Sequence, residues 1–122
     1  MLRSTLLAVS RNHRVRDAAV AFAPTRAVVQ RFVAGETLDD CVRVCRELVA
    51  DGLYATVDHL GEDTTTRAQA EATARAYLDL LARLDAEGLA DRVEVSVKLS
   101  ALGQAVDAEL TRTNVQTICA AA

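Results

Sequence analysis

The sequence has 122 residues, of which 51% are hydrophobic and 25% are charged, and its formal net charge is −3. This length supports one small domain with a hydrophobic core. The negative charge argues against nucleic acid as the main partner, because phosphate binding needs a basic surface, and aromatic residues at 3% leave few platforms for base stacking. No apolar run approaches the length of a membrane-spanning helix.

Residues 1–36 are predicted to form an N-terminal helical segment, with helix-compatible stretches over 4–22 and 25–33 on either side of Pro24. The first 35 residues contain six arginines and a single acidic residue. This bias is compatible with an organellar transit peptide, but the apolar run at 6–9 is too short for a signal-peptide core. We therefore interpret the segment as amphipathic helix of a cytoplasmic protein.

Clear signals for alternating helices and strands begin at residue 37. Thr37 is predicted to cap a helix that ends at Gly52, and a strand follows over 53–60. Thr66 and Gln69 fit a capping box at the start of a helix of about six turns. The predicted buried stripes of these two helices are Leu38, Cys41, Val42, Cys45, Leu48 and Val49, and Ala70, Ala74, Tyr77, Leu78, Leu81 and Leu84.

The second predicted strand, residues 93–100, alternates apolar and polar residues with period two. Its polar face carries Lys98, the only lysine in the chain, whereas the other 13 of the 14 basic residues are arginine. A lysine ammonium is compact and binds a confined carboxylate well. A solvated lysine on an edge strand is the structural alternative. A last helix is predicted over 106–121, with Leu110, Asn114 and Ile118 on one side.

The order strand, helix, strand, helix with short connections predicts parallel strands. Since two strands do not make a stable parallel sheet, we expect the intact product to be longer than 122 residues, and its native mass tests this. The polar faces of both strands favour a (β/α)8 barrel over a doubly wound sheet, and no nucleotide-binding glycine pattern follows either strand. Asp58, Glu62 and Lys98 fall at the strand ends where barrel active sites lie.

The cysteines and the strand-one histidine are predicted to be structural. No Cys-x-x-Cys is present and zinc-ligand spacing is absent, so the cysteines are interpreted as buried reduced thiols. His59 is expected to be a packed or hydrogen-bonded core residue, and Tyr77 a core residue. Metal ligation is therefore not expected.

Three blocks in order, residues 32–37 (FVAGET), 58–62 (DHLGE) and 96–103 (SVKLSALG), resemble the N-terminal part of bacterial monofunctional proline dehydrogenase. The resemblance implies an α/β fold in which N-terminal helices (1–36) precede a helix and the first two βα units of a distorted (β/α)8 (TIM) barrel (37–122), the remainder being missing. It also implies oxidation of L-proline to Δ1-pyrroline-5-carboxylate with FAD as cofactor.

Site roles follow from the same resemblance. Lys98 matches the lysine that pairs with the substrate carboxylate, Asp58 an acidic residue near the active site, and Glu62 a glutamate that ion-pairs with an arginine of the last barrel helix to close the site. Structural alternatives are a loop hydrogen bond for Asp58 and a solvated acid for Glu62. Most FAD contacts would lie beyond Ala122. Electrons would pass to a quinone at the inner face of the membrane, and pyrroline-5-carboxylate dehydrogenase would act downstream.

Two other functions stay open on the residues alone. One is a class I aldolase-like barrel in which Lys98 forms a Schiff base, which requires a depressed lysine pKa. The other is a non-enzymatic assembly module that associates through unpaired strand edges or helix faces.

Overall fold

The structure, a computed structural model, describes residues 33–122. Within that range the chain forms α1 (Leu38–Ala50), β1 (Ala55–Asp58), α2 (Arg67–Ala86), β2 (Val93–Ser96) and α3 (Ala108–Ala121). The helix predicted over 4–22, and all but the last residue of the one predicted over 25–33, lie outside the described residues. Residues 41–122 form one compact unit, which includes all of α1 after its first turn.

The predicted helix boundaries are confirmed by their capping interactions. The backbone N–H of Asp40 donates to Thr37 Oγ1 at 3.1 Å. Thr66 and Gln69 form the predicted capping box at the start of α2. Gly52 ends α1 with a φ of +81°, and the N–H of Leu53 then donates to the carbonyl of Leu48 at 3.0 Å.

The two strands pair in parallel, as predicted, in a register that runs from Ala55 opposite Val93 to Asp58 opposite Ser96. Each strand is shorter than predicted, with four residues. Leu99, an apolar residue of the strand predicted over 93–100, therefore lies beyond the end of β2, and 47% of this residue is exposed. The ladder ends at Ser96, and a turn follows in which the N–H of Ala101 donates to the carbonyl of Lys98 at 3.0 Å.

Helix α2 packs against α3 and β2 and carries the centre of the core. Ala74 and Tyr77 of α2 are buried together with Leu102 and Ile118, and five partly buried residues surround them: Leu78, Leu81, Val95, Val97 and Val115. Two of the residues predicted in the buried stripe, Leu78 and Leu81, are thus only partly covered. The predicted inner side of α3 is confirmed, since its three residues are all buried.

The described residues form an α/β structure in which a helix crosses between two parallel strands. In a (β/α)8 barrel, each strand is followed by a helix that crosses to the next parallel strand, and the described residues have this arrangement. Closure into a full barrel stays a prediction. Between residues 33 and 122, no helix is long and apolar enough to cross a membrane.

The three cysteines differ in exposure. Cys45 is buried in α1, Cys41 is partly buried, and all three are free thiols. Burial is the main cause that raises the pKa of Cys45 to about 11, and the neighbouring Cys41 raises it further. Cys45 therefore stays a neutral thiol. The prediction of buried thiols is wrong for Cys119, which lies exposed on α3 because the helix buries only the side that carries Asn114 and Ile118.

Gly103 fixes the approach of the loop after β2 to helix α2. Its φ is +105°, and a Cβ at this position would lie 3.0 Å from the Cβ of Ala70. Ala70 is buried on α2, and its Cβ is bonded directly to the helix backbone, so it has no rotamer that moves it away. Gly88 also has a positive φ, +68°, but an added Cβ meets nothing there within 4 Å.

We predict that Gly103→Ala destabilises the intact protein more than Gly88→Ala does. The Gly88 variant pays only for a left-handed backbone, about 1 kcal/mol, whereas the Gly103 variant adds a steric clash and loses about 2–3 kcal/mol. The free energy of unfolding measured by urea denaturation compares them. Equal losses would show that the contact with Ala70 relaxes without cost.

Candidate functional site

The ends of the two strands bring three predicted site residues to one edge of the sheet. Asp58 is the last residue of β1 and pairs in register with Ser96, the last residue of β2. Glu62 lies in the loop that follows β1, and Lys98 lies two residues after β2. Because the strands are parallel, both of these loops leave from the same edge of the sheet.

The side chains of these residues form one ion cluster, which we call the Lys98 cluster: Asp58, Glu62 and Lys98. Lys98 Nζ contacts Asp58 Oδ2 closely and lies 3.2 Å from Glu62 Oε1. The exposed fractions of the side chains are 38% for Lys98, 32% for Asp58 and 58% for Glu62. Lys98 is thus a half-covered cation whose inner partner is Asp58 and whose outer partner is Glu62.

The electrostatics of the cluster keep Lys98 charged. The ammonium donates hydrogen bonds to Asp58 and to Glu62, and both bonds raise the pKa of Lys98 above its ordinary value. The bond to Asp58 has the larger effect. The side chain therefore stays protonated throughout the neutral range and acts as a fixed cation. A lysine that forms a Schiff base needs the opposite shift of its pKa.

Tyr77 of α2 extends the cluster into the core. Its side chain is fully buried, and its hydroxyl lies 2.8 Å from the carbonyl oxygen of Ser96 and 3.3 Å from Asp58 Oδ1. The same hydroxyl accepts the backbone N–H of His59 at 3.1 Å. Sequence reasoning identified Tyr77 as core, which is confirmed, but missed the contacts of its hydroxyl. The available signal was a phenol in a stripe otherwise made of Ala and Leu, because a buried hydroxyl needs a partner.

Two side chains, one from the loop after β1 and one from α3, anchor the loops around the cluster. The buried Thr64 donates its hydroxyl to the carbonyl of Ala101 at 3.1 Å, which joins the loop after β1 to the loop after β2. Asn114 of α3 donates to the carbonyl of Leu102 at 3.1 Å. These bonds hold the backbone around Lys98, so the ammonium is positioned by a fixed loop.

The side chains of two other polar residues, His59 and Glu94, lie outside the Lys98 cluster. His59 is exposed, and its ring centroid lies 6.0 Å from that of Tyr77. Its prediction as a core residue is wrong because β1 ends at Asp58, before the position that would have faced the helices. Glu94 accepts the hydroxyl of Thr56 at 3.0 Å on the exposed surface of the sheet.

The described part of the chain offers no group of three or more His, Cys, Asp or Glu residues placed to hold a metal ion. A shallow depression lies at the opposite, N-terminal edge of the strands and is lined by residues that include Tyr54, Arg92 and Glu94. It contains none of the predicted site residues. The Lys98 cluster is therefore the candidate site, and its chemistry is recognition of an anion by a shielded ammonium.

Comparison with known proteins identifies relatives of the chain. No protein-family model matches the chain. Proline dehydrogenase 1 of Bacillus subtilis (strain 168) is 32% identical over all 122 residues, and its counterpart from Bacillus subtilis subsp. natto is 34% identical over the same length. Proline dehydrogenase of Deinococcus radiodurans is 33% identical over 98 residues.

The chain spans 39% of the length of each Bacillus relative and 31% of the Deinococcus protein. The similarity nevertheless covers the whole chain in two of these matches, and it includes the strands and loops that carry the Lys98 cluster. The chain is therefore similar over its full length to a part of these proline dehydrogenases.

Proposed function

We propose that the protein to which this chain belongs oxidises L-proline to Δ1-pyrroline-5-carboxylate, with FAD as hydride acceptor. The observation that carries the proposal is the position of Lys98, a protonated ammonium at the C-terminal edge of two parallel strands, in a chain whose relatives are named proline dehydrogenases. The carboxylate of proline is the group that such a cation recognises. Lys98 is proposed to bind and orient the substrate.

The contacts of Lys98 indicate how a substrate carboxylate gains access to the ammonium. An ammonium has three N–H donors, and Asp58 and Glu62 engage two of them. Glu62 is more exposed than Asp58 and sits next to Gly61, where an added Cβ would meet nothing within 4 Å. The outer carboxylate therefore exchanges with the substrate, while Asp58, which Tyr77 also contacts, stays on Lys98.

Exchange at Lys98 gives Glu62 a second proposed role. Once the substrate occupies the ammonium, the Glu62 carboxylate is free to pair with an arginine, as the family resemblance implies for site closure. Closure excludes water and strengthens the ion pair between Lys98 and the substrate, because the attraction between charges grows as the local dielectric falls. Asp58 is proposed to hold Lys98 in place throughout.

FAD, when bound, supplies the hydride acceptor. The residues of 33–122 do not by themselves fit it. Gly61 and Gly103, which follow the two strands, are single glycines in their loops and do not form a glycine-rich cradle, and two carboxylates hold the cation of the cluster. We therefore assign no FAD contact to these residues. The FAD contacts are proposed to lie outside these residues. Electrons are proposed to pass to a quinone at the membrane, and a pyrroline-5-carboxylate dehydrogenase to act downstream.

The Schiff-base alternative is disfavoured by the contacts of Lys98. Two carboxylates stabilise the ammonium and raise its pKa, so the neutral amine that attacks a carbonyl is scarce at neutral pH. An assembly module is disfavoured because the relatives that match the whole chain carry the name of an enzyme.

Borohydride reduction in the presence of pyruvate is expected to leave Lys98 unmodified. Trypsin cleaves after Lys98 only when the amine of this residue is free. Mass spectrometry of a tryptic digest of the full-length protein should therefore detect the peptide 93–98. A single peptide 93–112 carrying the reduced adduct would instead support the aldolase-like alternative.

Anaerobic addition of L-proline to the intact protein is expected to bleach its visible flavin absorption, whereas D-proline leaves it unchanged. The stereochemical difference arises because a substrate held by its carboxylate presents only one face of its reacting carbon to a fixed acceptor. A yellow protein that ignores both isomers would remove proline as the substrate. A colourless protein that FAD does not reconstitute would remove the flavin as well.

Lys98→Ala is expected to raise the KM for proline about 10- to 100-fold and to leave the flavin bound. This range corresponds to the loss of a hydrogen bond between charged groups, about 1.5–3 kcal/mol. Steady-state kinetics and the flavin-to-protein ratio measure the two effects.

Arg92→Ala is the matched control for this variant. It removes a cation next to the same strand but at its opposite end, where the guanidinium lies 4.6 Å from the centre of the Tyr54 ring. Its KM should equal that of the wild type. An unchanged KM in Lys98→Ala, or an equal rise in both variants, would remove Lys98 from the site.

A further inference from the structure

Tyr77 occupies the point where both strands end. Its ring is fully buried in the core with Ala74, Leu102 and Ile118. Its hydroxyl meets one group from each strand end, the carbonyl of Ser96 and the carboxylate of Asp58, together with the backbone N–H of His59. A phenylalanine would fill the same core volume, so the hydroxyl is the feature that core packing leaves unexplained.

The hydrogen bonds of this hydroxyl are constrained by its single proton. It accepts from His59 N–H and donates either to the carbonyl of Ser96 at 2.8 Å or to Asp58 Oδ1 at 3.3 Å. Burial, opposed in part by the His59 N–H, raises the pKa of Tyr77, so the phenol keeps its proton in the neutral range. The hydroxyl is therefore a permanent donor that lies within reach of the carboxylate.

The two oxygens of Asp58 have different partners. Oδ1 faces Tyr77 in the core, whereas Oδ2 faces the ammonium of Lys98 at the surface. Contacts on both oxygens restrict rotation of the carboxylate about its χ2, which is otherwise a broad torsion. Tyr77 thus contacts the one partner of Lys98 that does not exchange with substrate under the proposed function.

We propose that Tyr77 is a positioning residue for substrate binding, which fixes Asp58 and, through it, the ammonium of Lys98. This inference rests on the proposed function, because it is measured through the KM for proline. Tyr77 contacts neither the substrate nor Lys98 directly in this arrangement. The effect of Tyr77 on substrate binding therefore requires Asp58. A residue that only fills the core would have no such requirement.

Tyr77→Phe in the intact protein is expected to raise the KM for proline roughly 3- to 10-fold and to change kcat by less than about twofold. The range is that of one hydrogen bond to a charged group, reduced because the hydroxyl shares its proton with Ser96. The split between KM and kcat follows because positioning the carboxylate anchor affects binding before it affects the reacting atoms.

Two comparisons distinguish positioning from a structural role. Tyr54→Phe is the matched control, since Tyr54 is 72% exposed and lies beside Arg92. The KM of this variant for proline should stay at the wild-type value. In the Asp58→Ala background, Tyr77→Phe should cause no further change in KM, because the partner through which it acts is gone. A loss of general packing would instead persist in that background.

The outcomes separate failure of this inference from failure of the proposed function. If the wild type does not oxidise proline, the proposed function fails and no KM exists to compare. If the wild type does oxidise proline, an unchanged KM in Tyr77→Phe, or a rise that persists in the Asp58→Ala background, overturns the positioning role. If Tyr77→Phe does not fold, Asp58→Asn, which keeps the shape but removes the charge, must raise the KM, and a wild-type value there overturns the inference.

Discussion

The parallel pairing of β1 with β2 is the constraint on which the candidate site depends. Only four residue pairs make up this ladder, and its last pair joins Asp58 to Ser96. In an antiparallel pair, the residues after β2 would lie at the opposite end of β1, far from Asp58. The register therefore decides that Lys98 meets Asp58, and the helix between the strands supplies both the crossover and the buried phenol that contacts the two strand ends.

Local patterns in the sequence were sufficient to predict the elements and the edge at which the site lies. Alternation in 93–100 and the order of strands and helices predicted the parallel sheet, and residue type singled out Lys98. The lengths of the strands were not predictable in this way, since alternation continues through Val97 and Leu99. The ladder ends earlier, at Ser96. The turn that follows it is held by the side chains of Thr64 and Asn114, which donate to the carbonyls of Ala101 and Leu102 from 37 and 12 residues away in the sequence.

The role of the Tyr77 hydroxyl was hidden from the sequence for a similar reason. Helical periodicity assigns a tyrosine to the core by its ring and contains no information about its oxygen. The partners of that oxygen lie 18 or 19 residues away along the chain, on both sides, at the ends of two different strands. Only the assembled sheet brings them together, so a local pattern identifies the burial of Tyr77 but not its hydrogen bonds.

The net charge of the Lys98 cluster bears on the class of ligand that is proposed for it. One ammonium and two carboxylates give the Lys98 cluster a charge of −1, and a ligand that carries only a carboxylate would raise this to −2 in a partly covered site. A zwitterionic amino acid adds no net charge: in the exchange proposed above, its carboxylate would replace Glu62 on Lys98, and its cationic amine would offset the carboxylate that had been displaced. Under the proposed function, the balance of charge at the Lys98 cluster is thus better kept by a zwitterionic amino acid than by a simple carboxylic acid.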